Sequence, residues 1–269
     1  GWLPQGPDTG DIYRLTFMSD SSSHYRWLGK TQIAVSDTFI IAVKGKPPQT
    51  RIGQKSHLGP IIHRSGDTGY AYRTPKAVKA GQISQLYEMI RSIDFRAFRE
   101  SIRPNQLGPA TFLFGDTGGT LFYIRSGAVP IRSESVDWDR PITTDRGTDW
   151  LGFHVQEDLV QLIDPREGWI VDAGTPPDLV VPYSPLTPDR FSGYVYNAIS
   201  GTESSISART RELLGTSTRM TPGEVFNIVF DTLVIDSGFW LRALSIAIAE
   251  QKPSLSHEEQ KALDILISW

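Results

Sequence analysis

The chain has 269 residues, of which 39% are hydrophobic and 21% are charged, so it is long enough for one large hydrophobic core or two ordinary ones. Its formal net charge is −3, with 27 Lys and Arg against 30 Asp and Glu, which argues against a nucleic-acid partner. Without cysteine, these residues hold no disulfide, no thiolate metal site and no cysteine nucleophile. No run approaches the roughly 18 apolar residues of a membrane span.

The first third of the chain has the composition of antiparallel strands. Stretches rich in β-branched and aromatic residues are separated by clusters of Gly, Pro, Ser and Asp. They predict strands over Ile12–Phe17, Thr38–Val43, Ile61–His63 and Tyr70–Arg73. Apolar residues then change to helical spacing, which predicts a single helix from Ser84 to Glu100 with Ser84 as its N-cap.

A hairpin and a long loop are predicted in the middle of the chain. Thr111–Phe114 and Thr120–Ile124 are strand-like and flank Gly115–Gly119, whose glycines supply the positive φ angles of a reversal. Five prolines between Asp172 and Asp189 predict a segment that runs extended over the surface or along a cleft.

The last quarter of the chain predicts helices. Periodicity indicates helices over Ser205–Leu214 and Phe239–Ala249. Capping boxes open two more, one from Thr221 to about Asp236 and one from Ser256 to Trp269. Strands followed by helices predict an α+β fold, mainly sheet with one helix over residues 1–190 and mainly helical over 191–269.

Several segments also share the order and spacing of motifs in one known enzyme family. They are Asp11–Leu15, Val43–Gly45, Ser56–Ile61, Gly115–Arg132, Asp149–Gly152 and Asp164–Ile170. Together they resemble the penicillin acylase family, and the resemblance covers nearly the whole chain. It implies part of an N-terminal-nucleophile hydrolase αββα sandwich. The chain would be an internal part of the large (β) chain, truncated at its N-terminus and, since it ends on a helix, at its C-terminus.

This resemblance implies an activity for the complete protein. Such a protein is an autoproteolytic precursor whose cleavage exposes a Ser, placed here upstream of Gly1, and the α-amino group of that Ser acts as its base. It deacylates N-acyl small molecules such as β-lactams or acyl-homoserine lactones. Its partners are the acyl amide and its own upstream segments, it needs no organic cofactor, and it is periplasmic or extracellular.

The resemblance implies two donor positions for the family's oxyanion hole, one side chain and one backbone N–H. The resemblance places Gly174 where the family has an Asn, and Gly has no side-chain donor. Thr175 is the weaker candidate to replace it. The backbone donor falls on Gly6 when the chain is aligned from Gly1, and on Pro4, which has no N–H, when it is aligned back from Asp11.

A further family residue, an active-site Arg, falls near Ile206, with Arg209 and Arg211 close by. These departures keep an alternative open, a catalytically impaired homologue that binds an acylated ligand or a partner. A serine-triad enzyme and a nucleotide-binding protein are disfavoured, because the sequence has no Gly-x-Ser-x-Gly elbow and no phosphate-binding loop.

Three carboxylates are metal candidates. Asp8 and Asp11 resemble the family's calcium loop, and Asp189 resembles its more distant third carboxylate, which implies a structural calcium ion. The run from Asp8 to Asp11 also fits a turn whose side chains cap their own backbone.

Overall fold

The computed structural model describes residues 2–3, 6–19, 21–75, 81–143, 149–216, 219–251 and 255–268. Within these ranges the chain forms twelve strands and seven α-helices. The strands are β1 (Trp2–Leu3), β2 (Asp11–Phe17), β3 (His24–Trp27), β4 (Lys30–Ile33), β5 (Val35–Val43), β6 (Lys46–Lys55), β7 (Ile61–Ser65), β8 (Thr68–Arg73), β9 (Ala110–Gly115), β10 (Leu121–Ser126), β11 (Ile142–Thr143) and β12 (Gln161–Ile163).

The helices are α1 (Gln82–Arg91), α2 (Phe95–Ile102), α3 (Gly193–Tyr196), α4 (Ser205–Leu214), α5 (Pro222–Val229), α6 (Ser237–Gln251) and α7 (His257–Ser268). Strands dominate the first two thirds and helices the last third, so the predicted α+β class is confirmed. Among the described residues, none of these helices combines the length and the apolar character that a bilayer crossing requires.

The first sheet is antiparallel and carries one of the two hydrophobic cores. Its strand order is β1-β9-β10-β12, and the predicted hairpin is its β9–β10 pair. The rings of Phe98 on α2 and Phe114 on β9 stack with their centroids 4.7 Å apart. Phe122 and Ile124 on β10 are fully buried in the same core. The hairpin and α2 therefore share one hydrophobic core with residues of the loops that follow β10.

The second sheet has the order β4-β3-β2-β8-β7, with β11 parallel to β2. Along β2 the residues alternate between buried and exposed, and Tyr13, Leu15 and Phe17 point into the second core. This period of two is what a sheet with one buried face requires. A third, two-stranded sheet consists of the β5–β6 ribbon.

Several predicted helix boundaries are wrong. Ser84 is not an N-cap but lies inside α1, whose N-cap is Gly81 without a side-chain cap bond. Instead of one helix from Ser84 to Glu100 there are two, because Asp94 is extended and its side chain accepts from Ala97 N over 2.8 Å, which starts α2. The helix that begins at Thr221 ends at Val229 rather than near Asp236. Both predicted capping boxes are confirmed by the reciprocal bonds of Thr221 with Glu224 and of Ser256 with Glu259. Trp269 lies outside the described residues.

The Pro-rich segment 172–189 contains two short 3-10 turns, Pro177–Leu179 and Pro188–Arg190. Its Asp178 carboxylate accepts from the Tyr196 hydroxyl over 2.7 Å and from the Ser200 hydroxyl over 2.6 Å. These bonds lower the pKa of Asp178 although partial burial opposes them. They fix the segment 193–201 beside the Pro-rich loop.

Candidate functional site

Loops from three distant parts of the sequence line one open cavity of about 510 Å³. Gly6 and its neighbours up to Gly10 form one wall, Gly174 and Pro176 form another, and Asn197 with the residues after it forms a third. Gly174, and Gly6 as one of the two candidates for the backbone donor, therefore lie at the same cavity.

At Gly6 the backbone approaches the first sheet too closely for any side chain. A Cβ at this position would lie 2.5 Å from Ala110 N and 2.8 Å from Pro109 C. The Gly6 carbonyl accepts from Asn197 Nδ2 over 2.9 Å and from Arg125 Nη2 over 3.0 Å. Among the described residues, none accepts a hydrogen bond from Gly6 N–H. Pro4, the other candidate for this donor, lies outside the described residues.

The floor of the cavity carries a buried cation. Arg125 lies on β10 with 3% of its surface exposed, and its Nη2 also donates to the backbone carbonyl of Asn197 over 3.0 Å. No group of the described part of the chain bonds its Nε. Arg125 thus joins the loop of Gly6 to the segment of Asn197 and places positive charge at the cavity.

Gly174 gives the cavity neither a side-chain donor nor a backbone donor. Its N–H and that of Thr175 both donate to Asp172 Oδ1 over 3.2 Å. Burial is the main cause that raises the pKa of Asp172, and these two backbone bonds and the charge of Arg125 oppose it. Gly174 has a φ of +78°, in the left-handed region that favours glycine.

Thr175, the proposed substitute, is bonded away from the cavity. It is 2% exposed, and its hydroxyl lies 2.6 Å from that of Ser207 while accepting from Ala173 N over 3.2 Å. Ser207 in turn donates to Glu203 over 3.0 Å. The Thr175 side chain therefore holds α4 against the loop.

The arginine candidates on α4 also lie elsewhere. Ile206 is exposed. Arg209 forms ion pairs of 2.7 Å with Asp231 and 3.0 Å with Glu212, and Arg211 pairs with Glu203. These three candidates do not line the cavity. The cation that the structure places there is Arg125, which the sequence did not single out.

Asp8 and Asp11, two of the predicted calcium ligands, share an arginine. Arg132 Nη1 lies 3.0 Å from an oxygen of Asp8, and Nη2 lies 3.0 Å from an oxygen of Asp11. The side chains of Asp11 and Arg132 are each 1% exposed. Trp150 Nε1 donates to the second oxygen of Asp11 over 2.6 Å. A guanidinium group therefore occupies the space between the two carboxylates.

Asp189, the third predicted ligand, lies on an exposed 3-10 turn, where the Thr187 hydroxyl lowers the pKa of its carboxyl group. The described ranges contain no group of three Asp, Glu, His or Cys side chains arranged to hold a metal ion. Since two of the carboxylates already neutralise Arg132, the donor set does not fit the predicted calcium ion, and calcium binding stays a prediction.

A larger cavity, of about 810 Å³, lies against β6 and shares no lining residue with the first. His57 lines it, and its Nδ1 lies 2.6 Å from the Tyr25 hydroxyl. Burial, with Arg73 nearby, lowers the pKa of His57. The ring is therefore mainly neutral at neutral pH. This cavity contains neither predicted oxyanion position.

Comparison with known proteins connects this geometry to a family. The sequence profile described as Penicillin amidase matches residues 5–269. The chain belongs to the penicillin amidase family. Within that family, it is 22% identical to the penicillin G acylase of Escherichia coli over 181 residues, which are 66% of this chain and 21% of that protein.

A solved structure of a penicillin G acylase has a similar fold. It is a thermostable penicillin G acylase from Alcaligenes faecalis, with a TM-score of 0.70 at 16% sequence identity. The match covers 98% of this chain and 46% of the solved one. The chain thus spans about a fifth of the length of the first relative and less than half of the second.

Sequence reasoning missed two residues of the cavity, Arg125 and Asn197. Arg125 left one signal, a charge near the end of the mainly apolar strand β10, since a buried charge in a strand needs a specific partner. Asn197 left none, because its bonds to Gly6 and Arg125 join residues far apart in the sequence.

Proposed function

We propose that the whole protein hydrolyses linear amide bonds of N-acyl small molecules, with the reacting carbonyl at the cavity between Gly6, Gly174 and Asn197. The observation that carries the proposal is the convergence of Gly6 and Gly174, 168 positions apart, on one cavity. Membership of the penicillin amidase family supports the same reaction class. The proposed substrates are side-chain amides of β-lactams and acyl-homoserine lactones.

The proposed reaction uses a nucleophile from another segment of the whole protein. An N-terminal Ser hydroxyl attacks the amide carbon, and its own α-amino group takes the proton. As the hydroxyl attacks, the electron pair of the carbonyl bond moves onto the oxygen and a tetrahedral intermediate forms. When the double bond reforms, the amine is expelled and takes the proton that the α-amino group had accepted. Water releases the acid in the same way from the acyl-enzyme ester.

The residues of this chain contribute electrostatic stabilisation. Charge develops on the carbonyl oxygen during attack, so fixed donors and a nearby cation lower the barrier. Gly6 N–H has no acceptor among the described residues, and two donors hold the carbonyl of Gly6 on the other side of its Cα. The buried Arg125 adds positive potential on the same side.

The proposal includes the setting in which the enzyme works. The whole protein is made as a precursor that cleaves itself, and its upstream segments stay bound to this chain. The mature enzyme is exported to the periplasm or the medium, where it acts on antibiotics or related amides. Family membership supports this setting.

Turnover by the purified whole protein tests the proposal. We expect release of 4-nitroaniline from a panel of N-acyl 4-nitroanilides, and intact masses that correspond to two chains. Arg125→Met lowers turnover, whereas Arg140→Met, which removes an exposed arginine paired with Asp137, leaves it unchanged. A single uncleaved chain that binds the amides without releasing amine would contradict the proposal.

A further inference from the structure

Hydrolysis at this cavity requires more donors than Gly174 supplies. Efficient stabilisation of an oxyanion uses preorganised donors that converge on one oxygen. The N–H of Gly174 is bonded to Asp172, and glycine has no side-chain donor. Gly6 N–H alone is one donor, so a second must come from another wall of the cavity.

Asn197 carries such a donor. It is exposed and lines the cavity, and one hydrogen of its Nδ2 is used in the bond to Gly6 O over 2.9 Å. Among the described residues, none accepts the second hydrogen of that amide. The N and O atoms of one residue lie at most about 3.6 Å apart, so Gly6 N lies no more than about 6.5 Å from Nδ2 of Asn197. Two donors that are up to about 6 Å apart can both contact one oxygen at about 3 Å.

Asn197 is also held through its backbone. Its backbone is left-handed, and its N–H donates to Gly193 O over 2.7 Å. Arg125 bonds its carbonyl and the carbonyl of Gly6 with the same Nη2. Asn197 is the C-cap of α3, a position at which asparagine readily adopts this conformation. The amide of Asn197 is therefore preorganised beside Gly6.

We propose that Asn197 supplies the side-chain amide donor to the oxyanion, in place of the one that position 174 lacks, and that Arg125 is the positioning residue that holds Asn197 against Gly6. This inference rests on the proposed amide hydrolysis at the same cavity. The ligand group that Asn197 recognises is the carbonyl oxygen of the scissile amide, not the acyl chain.

The test replaces Asn197 by glycine in the whole protein. Glycine keeps the left-handed backbone and removes the amide. Asn105→Gly is the matched control, since Asn105 also has a positive φ, of 48°, and does not line this cavity. The double variant Asn197→Gly with Gly174→Asn places a side-chain amide at position 174, on another wall of the cavity. The φ of +78° there suits asparagine better than other non-glycine residues.

We expect Asn197→Gly to lower kcat for 4-nitroanilide hydrolysis by about 10²- to 10³-fold, with KM and Tm like those of Asn105→Gly. Gly174→Asn should recover part of the lost kcat, which a purely structural bond from Asn197 to Gly6 would not allow. An unchanged kcat in Asn197→Gly overturns the inference and leaves the proposed function standing. A kcat loss that follows a loss of Tm and is not recovered by Gly174→Asn also overturns it. Absence of turnover in the unmodified protein overturns both.

Discussion

The side-chain amide of Asn197 donates to the carbonyl oxygen of Gly6 over 2.9 Å and joins two residues 191 positions apart in sequence. Arg125 bonds the same carbonyl and the backbone of Asn197. The start of the chain, strand β10 and the segment after the Pro-rich loop are thereby fixed around one cavity.

Gly6 is predicted to tolerate no side chain. Gly6→Ala places a Cβ 2.5 Å from Ala110 N, a backbone atom that moves only with its strand, so we expect a loss of about 1–3 kcal/mol in the free energy of unfolding. Urea unfolding of the whole protein measures it. Gly108→Ala, where an added Cβ meets nothing within 4 Å, should change stability by less than about 0.5 kcal/mol. Equal effects of the two substitutions would contradict the close approach at Gly6.

Arg132 is predicted to be essential for stability because Asp11 is buried beside it. Arg132→Met leaves the Asp11 carboxylate without its cation, which should cost about 3–5 kcal/mol. Arg140→Met removes an arginine from an exposed ion pair with Asp137 and should cost less than about 1 kcal/mol. Urea midpoints of the two variants decide the point, and a loss at Arg132 as small as that at Arg140 would refute it.

Asp172 predicts a pH dependence of stability. Because its folded pKa is raised above 3.8, the folded state binds this proton more tightly than the unfolded state. The resulting stabilisation is fully present below pH 3.8 and is lost as the pH rises through the folded pKa. Hence the unfolding free energy of the unmodified protein, minus that of Asp172→Asn, should fall between about pH 3 and about pH 7. Urea titrations over that range test the sign, and a difference that rises with pH would show that Arg125 outweighs burial.

Calcium should have no effect on stability if Arg132 satisfies Asp8 and Asp11. The guanidinium lies 3.0 Å from both carboxylates, and a cation bound there would compete with it. We expect the same Tm in EDTA and in excess Ca²⁺, measured by thermal unfolding of the whole protein. A Tm that rises with Ca²⁺ concentration, and that no longer does so in Asp8→Asn, would restore the calcium site that the resemblance implied.

Local sequence signals predicted the local elements. The β9–β10 hairpin follows from glycines between two strand-like runs, and the starts of α5 and α7 follow from capping boxes, in which residues three positions apart satisfy each other. The break between α1 and α2 also has a local cause, the N-cap Asp94. The helical spacing of apolar residues on both sides of Asp94 nevertheless predicted one continuous helix. Strand β6 was missed because Pro47 and Pro48 argue against a strand.

The candidate site was only partly predictable. The resemblance aligned Gly174 with the family's Asn and left the backbone donor open between Gly6 and Pro4. Arg125 and Asn197 could not be placed, since their roles depend on bonds to residues 119 and 191 positions away in sequence. The ion pairs of Arg132 with Asp8 and Asp11 likewise join loops that no local pattern connects.

The most direct measurement is a crystal structure of the whole protein with the acid product of a hydrolysed N-acyl amide. If amide hydrolysis occurs at the proposed cavity, the carboxylate of the product lies between Gly6 and Asn197, with one oxygen within hydrogen-bond distance of Gly6 N and of Asn197 Nδ2. A product bound in the larger cavity beside His57, with the first cavity unchanged, would contradict the account.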